Sequence, residues 1–143
     1  MRKRREGIME KIKKKILVID DSLAMQRLLS FVLEKEGYEV EIATNGAEGF
    51  EKAKTFKPDL IFTDLLMPFK DGYELCQDIR STPEIKNTAI IVLTSKAETN
   101  NAQKALEIGA NDYLIKPFDP PKVISRVREV IGAQNNHEDS NEL

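Results

Sequence analysis

The sequence predicts an α/β fold with one five-stranded parallel sheet, doubly wound with five helices. Short apolar runs alternate five times with segments of helical periodicity, which is the pattern of strands buried on both faces of a parallel sheet. Parallel neighbours need crossover connections, and these are almost always right-handed. The second strand alternates apolar and charged residues like an exposed edge strand, which favours the strand order 2-1-3-4-5.

Composition indicates one soluble globular domain. The chain has 143 residues, of which 41% are hydrophobic and 32% charged, typical of a domain with a real core. Apolar runs stay well below the roughly 20 residues that span a bilayer, so we expect no membrane span. The basic start is not followed by an apolar stretch and does not resemble a secretory signal. The single cysteine, Cys76, excludes an internal disulfide and fits a reducing compartment, so we expect a cytoplasmic protein.

The first half of the domain contains two strands and two helices. The first strand, 16–19, precedes a helix that Ser22 can cap and Gly37 can end. The second strand, 38–43, alternates apolar with charged residues. Asn45-Gly46 then leads into the second helix. We expect the buried faces of these two helices to contain Ala24, Leu28, Phe31 and Val32 in the first, and Ala47, Phe50 and Ala53 in the second.

The second half continues the alternation. The third, fourth and fifth strands are predicted at 60–63, 89–93 and 113–115. Turn residues between 67 and 72 mark a long loop before the third helix. The fourth helix is predicted at 101–108, ending at Gly109. Prolines in the first turn open the last helix. The buried positions expected here are Leu75, Cys76 and Ile79 in the third helix, and Val123, Val127, Val130 and Ile131 in the fifth.

Polar extensions flank the predicted domain, which we place at residues 14–131. Residues 1–13 are basic and residues 132–143 are polar, and both are expected to be flexible. A basic arm can contact nucleic acid or an anionic membrane, but a solvated extension is the preferred interpretation, so nucleic acid is not an expected partner. Only 12 residues follow Ile131, which favours a stand-alone domain, although a segment of a longer protein would have the same sequence.

Polar residues stand where four of the apolar runs stop. These residues are Asp20-Asp21, Asp64, Thr94 and Lys116. In open α/β sheets the functional crevice lies outside the carboxyl ends of the strands. Three carboxylates, a hydroxyl and an ammonium group are therefore expected to converge at one edge of the sheet.

The residue types at this edge point to phosphoryl chemistry. Three nearby carboxylates cannot all ionise without a cation, and hard oxygen ligands suit Mg²⁺. Lys116 would add positive charge where phosphoryl oxygens gather, and Thr94 could donate a hydrogen bond. A carboxylate can itself be the nucleophile and form an aspartyl-phosphate. Asp64 is the best candidate because its strand is central.

Each motif alone has a structural alternative. Asp-Asp-Ser after a strand is often only a helix cap, and Thr94-Ser95 is most often a capping pair. Tyr113 is more simply a core residue, and Cys76 a small buried hydrophobe. Four neighbouring strand ends with mutually complementary groups are much less readily explained by chance, so the joint pattern favours a site.

Four segments carry a family resemblance. ILVIDDS, PDLIFTDLLMPFKDG, AIIVLTSKA and GANDYLIKPF resemble the motifs of response-regulator receiver domains, the phosphoacceptors of two-component signalling, and the similarity extends over residues 14–131. The resemblance implies a flavodoxin-like fold and phosphorylation of Asp64 by a histidine kinase or phosphotransfer protein. It also implies Mg²⁺, or Mn²⁺, held by Asp20, Asp21, Asp64 and the backbone carbonyl of Leu66.

The resemblance further implies a switch. Lys116 would pair with the phosphoryl oxygens, Thr94 would move to bond the phosphate, and Tyr113 would turn inward. The surface of the fourth helix, fifth strand and fifth helix would then change and dock a downstream protein. Leu66 and Lys96 occupy positions that vary in the family and border the path of the hydrolytic water, so they are expected to tune the lifetime of the phosphate.

Three other classes of protein share parts of this pattern. A haloacid-dehalogenase-like phosphatase expects an acid two residues after its nucleophile, where this chain has Leu66. A flavodoxin-like cofactor binder needs a phosphate-cradling loop after the first strand, where Asp20 and Asp21 would repel a phosphate. An unphosphorylated scaffold would not need the complete set of acids, threonine and lysine.

Overall fold

All five strands lie parallel in one sheet of order β2-β1-β3-β4-β5, as predicted. The computed structural model describes residues 13–67 and 70–132, apart from the side chains of Lys96, Thr99 and Ala102. The predicted flexible extensions therefore fall almost wholly outside the described residues. The strands are β1 Lys15–Ile19, β2 Glu39–Ala43, β3 Leu60–Asp64, β4 Ala89–Ser95 and β5 Asp112–Lys116.

Five α-helices connect and follow the strands. They are α1 Leu23–Lys35, α2 Gly46–Phe56, α3 Gly72–Arg80, α4 Thr99–Glu107 and α5 Pro120–Ile131, with a 3-10 turn at Lys96–Glu98 before α4. The fourth helix starts two residues earlier than predicted because the 3-10 turn leads directly into it. None of the helices in the described ranges is long and apolar enough to cross a membrane.

Alternate residues of the central strands enter two separate cores. Ile16 and Val18 of β1 pack with α1 and α5, whereas Leu17 and Ile19 pack with α2, α3 and α4. Burial on both faces explains why β1, β3 and β4 are continuous apolar runs. The edge strand β2 instead alternates between exposed and partly buried residues until Ala43, which confirms its predicted position.

The buried face of α1 differs from the prediction at three of the four predicted residues, and Val32 is the one that is buried. Leu29, Val32 and Leu33 are buried, whereas Leu28 and Phe31 are 37% and 66% exposed, and Ala24 is also exposed. The helix has apolar residues on two faces, so its spacing alone does not identify which face meets the sheet.

The other helices follow the prediction more closely. In α2, Ala53 is buried and Phe50 partly buried, but Ala47 is exposed and Gly49 is buried instead. A Cβ atom at Gly49 would lie 2.3 Å from Cδ1 of Ile19, so any side chain at this position would force Ile19 of β1 to shift. The predicted core residues of α3 are all buried, and Val123 and Val127 of α5 are buried with two partly buried neighbours.

Candidate functional site

The strand register brings the predicted polar residues to one edge of the sheet. Asp64 is the last residue of β3 and pairs with Leu93, so Thr94 follows immediately on the neighbouring strand. Ser95 pairs with Lys116, the last residue of β5. Asp20 directly follows β1, which lies on the other side of β3. Every predicted strand-end group is therefore at the carboxyl edge.

Three carboxylates form a compact cluster there. One oxygen from each of Asp20, Asp21 and Asp64 lies within 4.8 Å of the others. Asp20 is fully buried, Asp64 retains 15% of its side-chain exposure, and Asp21 is exposed. The cluster is thus open to solvent on one side and closed by protein on the other.

Local hydrogen bonds hold Asp20 in place. One of its carboxylate oxygens accepts the backbone N–H of Ser22 at 2.9 Å. Its backbone N–H donates to the carbonyl of Ala43 at 3.1 Å, and its own carbonyl accepts the side-chain amide of Gln26 at 2.7 Å. Sequence analysis did not identify Gln26, whose role depends on a backbone contact without a motif.

Lys116 is the counter-charge of the cluster. Its ammonium nitrogen lies 3.4 Å from Oδ2 of Asp20 and 3.5 Å from Oδ1 of Asp64. It is the last residue of β5, and a cis peptide bond joins it to Pro117. Since the two acids it contacts come from different strands, one lysine balances part of the charge of both.

The environment raises the pKa of Asp64 from its ordinary value of 3.8 to about 6. Burial is the largest cause because it disfavours the ionised form. Lys116 acts in the opposite direction, and the negative charge of Asp20 raises the pKa again. The backbone N–H of Leu65 lowers it and Asp21 makes a smaller upward contribution. A cation beside Asp64 would relieve this repulsion.

Neutralising Asp64 should therefore stabilise the metal-free fold. Wild-type Asp64 is protonated in both folded and unfolded chains below pH 4, only in the folded chain between about pH 4 and 6, and in neither above that range. Its raised pKa therefore costs stability as pH rises from about 4 to 6. In EDTA at pH 7 we expect Asp64→Asn to increase the unfolding free energy by about 1–3 kcal/mol, measured by urea denaturation.

The pH dependence separates this effect from a general gain in packing. The advantage of Asp64→Asn should shrink towards zero as pH falls to about 4, where the wild-type carboxyl is also neutral. Glu107→Gln, at an exposed position of α4, is the control, since it leaves Asp64 and its charged neighbours in place and should keep the wild-type slope between pH 4 and 6. A constant difference between Asp64→Asn and wild type across this range would contradict the charge argument.

Thr94 lies beneath this edge. It is fully buried, and its hydroxyl is 3.3 Å from the carbonyl of Ser95 and 3.4 Å from Oε1 of Glu98. Sequence analysis did not identify Glu98. A carboxylate four residues after a strand-end threonine would have been the available signal, because the 3-10 turn brings the two side chains together.

The remaining predicted residues are Tyr113 on β5 and two residues that follow the ends of β3 and β4. Tyr113 pairs with Val92 in the sheet and is partly buried against the core beneath α2, α3 and α4. Leu66 follows Asp64 by two residues, and its side chain is 50% exposed. The backbone of Lys96 begins the 3-10 turn, but its side chain lies outside the described residues.

Comparison with known proteins decides the family. The family model described as response regulator receiver domain matches residues 16–128. The chain belongs to the response regulator receiver family. This confirms the resemblance of the four motifs, and it makes the chain a phosphoacceptor domain of two-component signalling.

Individual relatives agree with this assignment. The chain is 44% identical over 117 residues to the transcriptional regulatory protein ResD of Bacillus subtilis, covering 82% of this chain and 48% of ResD. It is 42% identical over 118 residues to PhoP, the alkaline phosphatase synthesis transcriptional regulatory protein of the same organism, with the same coverage of both chains. The chain thus spans about half the length of these curated relatives.

Solved receiver structures superpose on the fold. Chemotaxis protein CheY4 of Vibrio cholerae gives a TM-score of 0.78 at 33% identity, covering 83% of this chain and 99% of CheY4. The receiver domain of sensor histidine kinase PA1611 from Pseudomonas aeruginosa gives 0.78 at 29% identity, covering 85% and 100%. That structure contains a magnesium ion coordinated in its active-site cleft.

The donor set of this chain fits the same ion. Receiver domains bind Mg²⁺ at an acidic pocket, and the cluster offers three carboxylates with one open side. Mg²⁺ prefers few protein oxygens and keeps several waters. The buried Asp20, the partly exposed Asp64 and the exposed Asp21 provide such a half-open set.

Proposed function

We propose that Asp64 accepts the phosphoryl group. The observation that carries this proposal is the position of its carboxylate. It is partly exposed at the end of the central strand β3, clustered with Asp20 and Asp21 and 3.5 Å from the ammonium nitrogen of Lys116. In the transfer, a carboxylate oxygen of Asp64 attacks phosphorus while the bond from phosphorus to the donor breaks. The donor is a phosphohistidine of a kinase or phosphotransfer protein, the partners with which receiver domains interact.

The surrounding groups position and neutralise charge. We assign Mg²⁺ to the carboxylates of Asp20, Asp21 and Asp64 and the backbone carbonyl of Leu66, and Mn²⁺ would suit the same oxygens. The bound ion supplies positive charge next to the phosphoryl oxygens. Lys116 pairs with another phosphoryl oxygen, exchanging its contact with Asp64 for one with the phosphate. Preorganised charges of this kind carry most of the catalysis in phosphoryl transfer.

Thr94 and Tyr113 link the phosphate to a docking surface. The Thr94 hydroxyl donates to a phosphoryl oxygen, and Tyr113 moves inward to follow it. Thr94 lies on β4 and Tyr113 on β5, and both strands contact α4. We propose that the surface formed by α4, β5 and α5 changes and binds the downstream partner. Residues 14–131 form the working unit in this proposal, flanked by 1–13 and 132–143, and the histidine kinase reaches it in the cytoplasm.

Small phosphodonors provide the direct test. Acetyl phosphate with Mg²⁺ should add the mass of one phosphoryl group to the wild-type chain, and peptide mapping should place it on residue 64. The Asp64→Asn variant should gain no mass, and excess EDTA should prevent the reaction of the wild type. A phosphorylated Asp64→Asn protein, or full phosphorylation in EDTA, would refute the assignment. Modification of Asp64 would also exclude an unphosphorylated scaffold.

The half-exposed Leu66 is proposed to slow hydrolysis of the phosphate. A water attacking phosphorus must be aligned opposite the leaving carboxylate oxygen, and Leu66 offers that water no hydrogen bond. Leu66→Asn should therefore speed the loss of phosphate several-fold. Leu28→Asn, at a 37% exposed position of α1, is the matched control and should not change the decay. The measurement is intact mass over time after removal of acetyl phosphate, and slower decay of Leu66→Asn would show that Leu66 is not a shield.

A further inference from the structure

Glu98 connects the proposed switch threonine to α4. Its carboxylate oxygen Oε1 accepts the backbone N–H of Ser95 at 3.2 Å and lies 3.4 Å from the hydroxyl of Thr94. We propose that Glu98 is a positioning residue that holds the Thr94 hydroxyl in the unphosphorylated state and loses it when Asp64 is phosphorylated. This proposal rests on the function proposed for Thr94 and adds a competing acceptor to it.

The Thr94 hydroxyl has one hydrogen and two long contacts. Its oxygen is 3.3 Å from the Ser95 carbonyl and 3.4 Å from Glu98, whereas ordinary hydroxyl hydrogen bonds are about 2.5–3.0 Å long. Thr94 itself is fully buried. The hydroxyl is therefore held by weak bonds inside the protein, which suits a donor that must be transferred to another acceptor.

A phosphoryl group on Asp64 is a stronger acceptor for the same hydrogen. It carries a charge of about −1.5 to −2 and three acceptor oxygens. A single hydroxyl hydrogen cannot serve both the phosphoryl group and Glu98 with good geometry. Of the two contacts given above, transfer of the hydrogen bond leaves the Glu98 carboxylate with the backbone N–H of Ser95. The 3-10 turn Lys96–Glu98 is then less firmly attached to β4.

The position of Glu98 at the start of α4 gives this release a consequence. Glu98 is the N-cap residue of α4, yet its side chain makes no capping hydrogen bond there. The carboxylate points instead to the end of β4. Negative charge is stabilised near a helix N-terminus, so a released Glu98 has an alternative partner in its own helix. Two competing positions for one carboxylate form a two-state element.

The start of α4 is also held by α3, independently of Glu98. The hydroxyl of Tyr73, on α3, donates to the backbone carbonyl of Asn101 at 2.8 Å. The first turn of α4 is therefore attached to α3 through Tyr73, while the turn before it is attached to β4 through Glu98. Release of Glu98 would move the 3-10 turn about an anchored helix rather than free the whole of α4.

A double-mutant cycle tests the competition. Beryllium fluoride with Mg²⁺ serves as a phosphoryl mimic on Asp64 that does not hydrolyse, and binding is followed by the amide NMR signals at the ends of β4 and β5. Glu98→Ala should bind beryllium fluoride about two- to fivefold more tightly than wild type, because one weak hydrogen bond no longer has to be broken. Glu98→Gln retains an acceptor oxygen and should lie closer to wild type.

The cycle separates the effect of losing the Thr94–Glu98 hydrogen bond from the effect of removing a negative charge. In a Thr94→Ala background, Glu98→Ala should have no effect beyond that of the exposed control Glu107→Ala, because the hydroxyl is absent. Equal tightening in both backgrounds, or unchanged binding by Glu98→Ala, would overturn the proposal. If wild type and Asp64→Asn both failed to bind beryllium fluoride, the proposed phosphoacceptor function would fail instead, so the two failures are distinguishable.

Discussion

Replacing Lys116 with methionine should slow phosphorylation of Asp64 by acetyl phosphate about 100-fold. The ammonium group lies 3.4 and 3.5 Å from the carboxylates of Asp20 and Asp64, where phosphoryl oxygens must gather. Removing one preorganised charge of this kind typically costs a factor of about 10²–10³ in rate. Methionine keeps most of the length of the side chain, so the loss reflects the charge. Initial rates from intact mass in saturating Mg²⁺ provide the measurement.

A second measurement on Lys116→Met does not depend on activity. Lys116 lowers the pKa of Asp64, which burial raises to about 6. Without the lysine, the folded-state pKa should rise further, so Asp64 should retain its proton to higher pH. Titration of the Asp64 carboxyl carbon by NMR in EDTA reports this directly. Lys122→Met, at an exposed position of α5, should change neither the rate nor the titration; an unchanged pKa in Lys116→Met would contradict the contact.

The site could be predicted because its residues stand at strand ends. A parallel sheet has one functional edge, so an apolar run followed by Asp20, Asp64, Thr94 or Lys116 locates each group without any knowledge of distances. The structure confirms this convergence through the register of β3 with β4 and of β4 with β5. The fold could be predicted for the same reason, since runs buried on both faces occur in few other architectures.

Contacts to the backbone could not be predicted. Gln26 donates to the carbonyl of Asp20, and Glu98 accepts the N–H of Ser95. A backbone carbonyl or amide is the same at every residue, so no pairing of residue types marks such a contact in a sequence. The face of α1 could not be predicted either, because Phe31 and Leu33 are equally apolar and only packing distinguishes the exposed from the buried one.

Arg80 also contacts the backbone, through four side-chain hydrogen bonds to carbonyl groups. From the end of α3 its Nε and Nη2 donate to the carbonyl of Gly109 at 3.0 and 2.7 Å. Nη1 donates to the carbonyls of Lys86 and Thr88 at 2.9 and 2.6 Å, and Nη2 is 3.1 Å from Oδ1 of Asn111. One guanidinium thus joins the segments that enter β4 and β5. Those strands carry Thr94 and Lys116 at their other ends.

Arg80→Lys should lower the unfolding free energy by about 2 kcal/mol. A lysine has one nitrogen and cannot reproduce a planar fork that donates to acceptors on both sides. At least two carbonyls would lose their partner, and an unsatisfied polar group that is withdrawn from water costs about 1–3 kcal/mol. Urea denaturation monitored by circular dichroism measures the loss. Phosphorylation of Asp64 should continue below the unfolding transition, since Arg80 lies at the opposite edge of the sheet.

Arg128→Lys is the matched control for this prediction. Arg128 makes a 3.0 Å ion pair with Glu36, and its side chain is half exposed. Exposed pairs contribute about 0–1 kcal/mol, and lysine can replace arginine in one contact, so the unfolding free energy should stay within about 0.5 kcal/mol of wild type. Equal destabilisation by the two substitutions would show that the fork at Arg80 adds nothing beyond its charge, and that β4 and β5 are held in register by the sheet alone.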